Sequence, residues 1–259
     1  MGVNVVFILY LTIGIIIFMF GASLGSFCSA YIERYQQGVS IVKGRSICPS
    51  CHRPIKGYDL IPVLSFIVLE GKCRFCGGRI PWENFVLEVL GGVTALGLFF
   101  LYGLTGEGVL YLFVLAALLC IFLIDMRTMD IPHALNIVIF VLGILSGFLF
   151  PHISWLDRGI GLVAISVPMF LLTLLVPHAF GGGDVKLMGA TGVLLGWQAL
   201  LVAFFIGLVI GGAQGVYILR VQKRDKKTLF AFGPALAIGI AISLFFGHNI
   251  IDGYIRLLF

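Results

Sequence analysis

Charged residues are scarce in this sequence of 259 residues, since only 11% are Asp, Glu, Lys or Arg and 60% are hydrophobic. Soluble domains carry about 25% charged residues, because their surface faces water. The scarcity excludes a soluble fold, and with it the disordered, collagen-like and small disulfide-scaffold classes. Together with a mean hydropathy of +1.11, it predicts an all-α protein that crosses a membrane several times.

The start of the chain lacks both charge and a processing signal. No charged residue precedes Glu33, and no A-x-A site closes this apolar stretch, which is too long for the apolar region of a signal peptide. Residues 1–32 are therefore expected to form an uncleaved first transmembrane helix. Internal repeats and low-complexity linkers are also missing. A polar loop domain is predicted at residues 33–83 and a transmembrane domain at residues 84–259.

The remaining uncharged stretches predict about eight transmembrane helices. One of them, Leu187–Leu219, is long enough for one tilted helix or for two short helices that turn near Trp197-Gln198. Basic residues decide between these, because the positive-inside rule places both clusters, Arg34–Arg79 and Arg220–Lys227, in the cytoplasm. Only an even number of helices between them satisfies the rule, which favours two short helices and termini outside the cytoplasm. Fifteen of the seventeen basic residues then lie inside, so the net charge of +5 reflects membrane orientation and not a nucleic-acid partner.

Four of the six cysteines form two CxxC pairs in the polar loop, Cys48 with Cys51 and Cys73 with Cys76. Each pair can hold one ion from a tight turn, and four thiolates complete a closed tetrahedral Zn²⁺ site. Disulfides are not expected in a reducing cytoplasmic loop. A Cys₄ site leaves no open coordination position, so the predicted zinc is structural.

Carboxylates are the scarcest polar groups, with twelve in the chain, and three of them touch predicted helices: Glu88, Asp125 and Asp184. An ionisable group within a membrane is a functional candidate by default. The predicted topology puts Asp125 and Asp184 at one depth on the cytoplasmic side, and Asp184 follows three glycines that permit close backbone approach. Asp130 is a weaker partner, because it can cap the helix that follows.

Two facing carboxyl groups suggest an aspartic-protease dyad. Close carboxylates do not both ionise, so the charged member can activate water while the protonated member donates to the scissile carbonyl oxygen. Serines are scattered and the five histidines show no ligand spacing, so no rival nucleophile set is visible. From the residues alone two alternatives stay open for Asp125 and Asp184: salt bridges to Arg127 or Lys186, and the ion pathway of a transporter or channel.

Motifs in order along nearly the whole chain resemble those of the bacterial type IV prepilin peptidases, a group of GxGD-type intramembrane aspartyl proteases. They are Gly25-Ser26-Phe27 with Arg34, Arg45-Ser46 before the first CxxC pair, Asp59–Ser65, Cys73–Cys76, Pro81–Glu88, Asp125 with Ile131-Pro132, Gly181–Leu187 with its G-x-G-D core, and Phe232-Gly233-Pro234. One departure is His133, which stands where the family often has an acid.

The resemblance implies more than the composition does. Such enzymes remove the basic leader of prepilins and pseudopilins on the cytoplasmic side of the inner membrane, and many also methylate the new N-terminus with S-adenosylmethionine. By position, Asp125 and Asp184 correspond to the catalytic aspartates, and the zinc-bearing loop accompanies the bifunctional members. A peptidase without methyltransferase activity is the nearer alternative, since the chain lacks a soluble-type nucleotide-binding motif. A transporter with a zinc-stabilised loop is the more distant one.

Overall fold

The computed structural model describes residues 2–41, 44–149, 152–176, 179–220 and 231–258. Their regular elements are helices, and the only β pairing in these ranges is two isolated bridges in the loop between the first and third helices. The helices are α1 (Gly2–Gln36), α2 (Leu64–Val68), α3 (Trp82–Tyr102), α4 (Gly106–Thr128), α5 (His133–Leu149), α6 (Trp155–Ala164), α7 (Ser166–Leu175), α8 (Gly182–Arg220) and α9 (Gly233–Leu258), with a 3₁₀ turn at Gly57–Leu60.

Six of the described helical segments are long and apolar enough to span a membrane, counting α6 and α7 together. A seventh, α5, is apolar but shorter, and the longest, α8, contains a residue with non-helical backbone angles at Gly196. Counting the two parts of α8 separately gives eight apolar helical segments in the described chain. The prediction of an all-α membrane protein with about eight such helices is therefore confirmed.

The chain divides into two compact units, Met1–Ala116 and Ala117–Phe259. In the first unit, α1 and α3 pack through glycines. A Cβ on Gly21 would collide with the Gly91 carbonyl, and a Cβ on Gly25 would collide with the backbone of Leu87. Gly21 and Gly25 are four residues apart and therefore lie on one face of α1, the small-residue spacing that lets two membrane helices approach closely.

The second unit is built around α8, which packs against α5, α6 and α9. Glycines again permit the contacts: Gly161 of α6 meets Gly192 of α8 backbone to backbone, and Gly239 of α9 meets the Ala203 carbonyl. Helices that lack side chains at the contact gain van der Waals packing along their backbones, which is the main source of helix association in lipid.

The break in α8 lies at Gly196, whose φ of 74° and ψ of 167° are incompatible with a helix. The prediction of two short helices turning near Trp197 is thus confirmed, with the break one residue earlier. Arg158 of α6, only 2% exposed, supports the break, because its guanidinium donates to the carbonyls of Val193 at 2.7 Å and Leu194 at 3.4 Å. These carbonyls belong to the last turn before the break, where helical acceptors need other partners.

The helices extend beyond the uncharged stretches of the sequence at several ends, for example in α3, which begins at Trp82 and includes Glu83 and Glu88. The Gly159–Phe180 stretch forms α6 and α7, which meet at Ile165, and α8 begins at Gly182 rather than after Lys186. A helix accommodates charges in its first turn, where side chains reach the membrane boundary. Of the second basic cluster only Arg220 lies within the described residues. The membrane orientation and the division into three domains remain predictions.

Candidate active site and metal centre

Two turns of the same geometry carry the CxxC pairs in the first unit. In the first turn, the N–H of Cys48 donates to Arg53 O at 2.9 Å, and the N–H of His52 donates to Cys48 O at 2.9 Å. In the second, the N–H of Cys73 donates to Gly78 O at 2.8 Å, and the N–H of Gly77 donates to Cys73 O at 2.9 Å. His52 and Gly77 both adopt a positive φ. An isolated β-bridge flanks each turn, so each pair is held in the same shape.

The four sulfur atoms of these turns converge. The Sγ atoms of Cys48, Cys51, Cys73 and Cys76 all lie within 4.8 Å of one another, and no other group of this kind is found among the described residues. Cys48 Sγ and Cys76 Sγ are 3.8 Å apart, which matches the separation of about 3.8 Å that tetrahedral Zn–S bonds of 2.3 Å require. The cluster can therefore hold zinc.

Thiolates are the form that binds metal, and in the absence of an ion the surroundings of the cluster favour the thiolate of Cys48 but raise the pKa of the Cys76 thiol to about 11. A backbone hydrogen bond from Cys51 lowers the pKa of the Cys48 thiol to about 6. The N–H of Gly78 points at Cys76 Sγ at 3.4 Å. Asp59 and Arg74 form a two-pronged ion pair, with Nη2 and Oδ1 2.6 Å apart, that ties the 3₁₀ turn to the second CxxC turn.

Glu88 of α3, one of the three acids in predicted helices, joins α1, α3 and the polar loop within the first unit. Ser26 Oγ donates to its Oε1 at 2.8 Å, and the N–H of Val63 donates to its Oε2 at 2.7 Å. Val63 has a φ of 65°, a strained conformation for a β-branched residue. The Glu88 carboxylate thus anchors a strained loop residue.

Asp125 lies in the last turn of α4 and is only 4% exposed. Its Oδ2 accepts the N–H of Gly233 at 2.9 Å, and Gly233 is the first residue of α9. A Cβ on Gly233 would lie 2.7 Å from that oxygen, so glycine is needed for the contact. The carboxyl group therefore faces the N-terminus of α9, where unpaired N–H groups and the helix dipole favour negative charge.

Asp184 lies in the first turn of α8 and is 8% exposed. Its Oδ2 accepts the N–H of Gly181 at 3.1 Å, the reciprocal half of a capping box, in which the third helical residue reaches back to the residue before the helix. Asn136 of α5 holds this first turn of α8, because its Nδ2 donates to Gly183 O at 3.3 Å. Asp184 thus also lies at a helix N-terminus.

The structure brings Asp125 and Asp184 together within the second unit. Ile131 links the surroundings of the two acids, because it lies against Gly183, the residue before Asp184, and against Gly233, whose N–H bonds to Asp125. Within the described residues neither acid forms an ion pair. The interpretation of Asp125 and Asp184 as salt-bridge partners of Arg127 and Lys186 is therefore wrong. Asp130, the weaker candidate for the pair, and His133 are both exposed.

Sequence reasoning missed the groups that hold the two acids. Asn136 sits in an apolar helix and gave no signal of its own. Gly233 was noted only as part of a resembling motif, and its N–H contact with Asp125 joins residues 108 positions apart. The local sequence gives one sign that the Gly233 N–H lies at a helix start: Pro234 follows directly, and proline is common in the first turn of a helix.

Comparison with known proteins matches two consecutive parts of the chain to family models. Residues 19–102 match the bacterial peptidase A24 N-terminal domain, and residues 112–216 match the type IV leader peptidase family. A prepilin leader peptidase/N-methyltransferase of Bacillus subtilis is 31% identical over 244 residues, which cover 93% of this chain and 98% of that protein. The chain belongs to the type IV leader peptidase family.

Other members of the type IV leader peptidase family are similarly close. Proteins with the same name from Burkholderia pseudomallei and Aeromonas hydrophila are 34% and 29% identical, over 78% and 93% of this chain and 67% and 93% of their own lengths. No solved structure matches the chain. The A24 N-terminal match contains the four cysteines and Glu88, and the leader peptidase match contains Asp125 and Asp184. The predicted resemblance is confirmed.

Proposed function

We propose that this chain is an aspartic prepilin peptidase in which Asp125 and Asp184 form the catalytic pair. Its substrates are prepilins or pseudopilins, whose basic leader it removes at the cytoplasmic face of the inner membrane. It then methylates the new N-terminus with S-adenosylmethionine as the methyl donor. The methyl-transfer part rests on the names of the relatives, whereas the hydrolytic part also rests on the geometry of this chain.

The observation that carries the proposal is the meeting of two buried carboxyl groups, each bonded to a backbone N–H at a helix N-terminus. A structural acid in a membrane protein normally pairs with a cation, and neither acid forms an ion pair among the described residues. Two adjacent carboxyl groups that share one proton provide both the base and the acid that peptide hydrolysis needs.

The reaction follows from that shared proton. The ionised carboxylate removes a proton from a water molecule while the water oxygen bonds to the scissile carbonyl carbon. The protonated carboxyl group donates its proton to the carbonyl oxygen, which gives a neutral tetrahedral diol. When this collapses, the C–N bond breaks, the new amine takes a proton from the pair, and the leader leaves with a C-terminal carboxyl group. The N–H groups of Gly181 and Gly233 keep both carboxyl groups in place throughout.

The position of the pair suits a substrate that lies partly in the bilayer. Asp125 lies in the last turn of α4, which is long enough to span a membrane, and Asp184 lies in the first turn of the first apolar part of α8. Both acids therefore lie near a membrane boundary, where the apolar segment of a prepilin would leave the lipid. The excess of basic residues in Arg34–Arg79 supports a cytoplasmic position for the loop and, by helix count, for both acids.

The zinc that the Cys₄ cluster can hold has a structural part in this proposal. Cys48, Cys51, Cys73 and Cys76 would occupy all four positions of the ion, so none is left for water or substrate. Bound zinc would supply the cross-link that a loop without a large apolar core needs in order to fold.

The experiment that tests the proposal incubates the purified protein, in bilayer nanodiscs, with a prepilin that carries its basic leader. Intact mass spectrometry of the product, with and without S-adenosylmethionine, reports cleavage and methylation separately. The expected result is a shortened pilin without the donor and the same product one methyl group heavier with it. Cleavage without methylation would establish the peptidase alone, and an intact prepilin would contradict the proposal.

Substitutions of the two acids test their proposed catalytic roles in the same cleavage assay. Asp125→Asn and Asp184→Asn are each expected to slow cleavage by about a thousandfold or more, since each removes a proton-transfer group. Asp252→Asn, at an exposed position of α9, is the matched control and should cleave at the wild-type rate. Wild-type rates in either of the first two variants would remove that residue from the proposed pair.

A further inference from the structure

Two adjoining cavities lie in the first unit, between α1 and the polar loop. The larger has a volume of about 780 Å³ and the smaller about 300 Å³. They share the lining residues Arg34, Ser46 and Leu60, so they adjoin each other and together make up a cleft. A volume of this size accommodates a small molecule or a lipid headgroup.

The larger cavity is cationic. Among the described residues, its lining includes four basic residues and no carboxylate: Arg34, Arg45, Arg53 and Lys56. The nearby acid of the loop, Asp59, is engaged by Arg74 and does not line the cavity. Like charges in a partly enclosed space repel one another, and an anion bound among them relieves this repulsion. The cavity therefore favours a negatively charged ligand.

The basic groups are held in place before any ligand arrives. The guanidinium of Arg53 and the ammonium of Lys56 lie over the ring of Phe75, at 5.7 and 5.6 Å from its centre. Arg34 donates to the Ile41 carbonyl at 2.8 Å. Cation–π contacts and hydrogen bonds of this kind reduce the side-chain freedom that binding would otherwise remove.

The cleft also has an apolar end that follows a membrane helix. Arg34 lies in the last turn of α1, the helix whose Phe7–Gln36 segment can span a membrane. The smaller cavity extends back along α1 from Arg34 through Ala30 and Phe27 to Ser23, about 16 Å at 1.5 Å per residue. A cationic space at the end of a membrane helix, continued by a partly apolar groove along that helix, has the polarity of a phospholipid.

We propose that this cleft binds an anionic phospholipid, with its phosphate among Arg45, Arg53 and Lys56 and the first part of its acyl chains along α1. A basic leader peptide would be repelled by the same four cations. A soluble phosphate compound carries the same anionic group but leaves the groove along α1 unfilled. Lipid retention and binding of inorganic phosphate distinguish these two ligands.

The test compares lipids that stay bound to the protein on extraction from nanodiscs of phosphatidylcholine mixed with phosphatidylglycerol. Native mass spectrometry counts the lipids retained by the wild type, by Arg53→Gln/Lys56→Gln, and by the control Lys72→Gln/Arg79→Gln. The control removes the same charge from loop residues that do not line the cavity. Zinc content measured on all three proteins verifies that the loop stays folded.

The wild type and the control are expected to retain phosphatidylglycerol in preference to phosphatidylcholine. The cavity variant should retain about thirtyfold less, at about fivefold for each basic residue near an anionic lipid. Equal retention by all three proteins, or an equal loss in the control, would overturn the site. Binding of inorganic phosphate in pure phosphatidylcholine nanodiscs, without selective retention of phosphatidylglycerol, would overturn the lipid as its ligand.

Discussion

Four thiols converge in residues 1–116 and two carboxyl groups converge in residues 117–259, but the two clusters are exposed to solvent very differently. The thiols range from the buried Cys48 to the exposed Cys76 and are held by loop turns. The carboxyl groups are 4% and 8% exposed and are held by the ends of long helices. The first cluster comes from residues at most 28 positions apart in the chain, whereas the second joins α4, α8 and α9.

This difference agrees with the proposal of a fold-forming metal site in the first unit and a reactive carboxyl pair in the second. A loop with few buried side chains gains stability from a metal, which saturates its own ligands and leaves no reactive position. Helices packed through glycines already have a stable arrangement, so they can keep two like groups buried in one region at a cost in stability. We therefore expect perturbations of the first unit to alter structure, and perturbations of the second to alter chemistry.

The largest expected effect on structure follows from removal of two thiols. Cys48→Ser/Cys51→Ser should lose essentially all bound zinc, because two ligands do not retain a structural ion, and residues 44–80 should become accessible to protease. Metal analysis and limited proteolysis measure the two effects. Asp184→Asn should keep its zinc and its protease resistance. If zinc content were unchanged in the cysteine variant, the Cys₄ assignment would be wrong.

A smaller effect, confined to chemistry, is expected from Gly233→Ala. The added methyl group would lie 2.7 Å from Asp125 Oδ2 and must displace the carboxyl group, and a displacement of about 1 Å in an active site can lower kcat about a hundredfold. The steady-state rate of prepilin cleavage measures this. Gly212→Ala on α8, where a Cβ would contact nothing within 4 Å, should keep the wild-type rate. Equal cleavage rates in Gly233→Ala and Gly212→Ala would show that the contact of Gly233 with Asp125 does not contribute to the reaction.

The smallest effect is expected at the loop anchor. Glu88→Ala removes the acceptor of the Val63 N–H and should destabilise that contact by about 1–3 kcal/mol. Hydrogen exchange of the Val63 amide should accelerate accordingly. Glu88→Gln, which retains a carbonyl acceptor, should restore most of the protection, and Glu33→Ala at an exposed position of α1 should have no effect. Unchanged exchange in Glu88→Ala would show that the carboxylate does not hold the loop.

The sequence was sufficient for those features that depend on local spacing. The CxxC turns, the apolar helices and the break near Trp197 follow from ligand spacing, hydropathy and charge placement, each of which acts over a few residues. The common depth of Asp125 and Asp184 also followed, because the helix count fixes on which side each helix ends. A single sequence was therefore enough to predict that Asp125 and Asp184 lie in the same region of the protein.

Long-range contacts were beyond that reasoning. The bond from Gly233 to Asp125 and the bond from Val63 to Glu88 depend on how helices and loops pack, and nothing in the local sequence specifies the partner. The start of α8 was placed too late because Asp184 and Lys186 interrupt the uncharged stretch, although both fit in a first helical turn. Nothing in the local sequence indicates that Arg158 is buried, because the carbonyl groups that accept its hydrogen bonds come from α5 and α8.

A double-mutant cycle on prepilin cleavage, with Asp125→Asn, Asp184→Asn and the variant carrying both changes, measures whether the two acids act as one catalytic unit. Groups that act as one catalytic unit give non-additive losses. Each single variant is expected to lose about a thousandfold or more in cleavage rate, and the double variant is expected to be no slower than the slower single one. Substantial cleavage by either single variant, or losses that multiply in the double variant, would contradict the proposed catalytic pair.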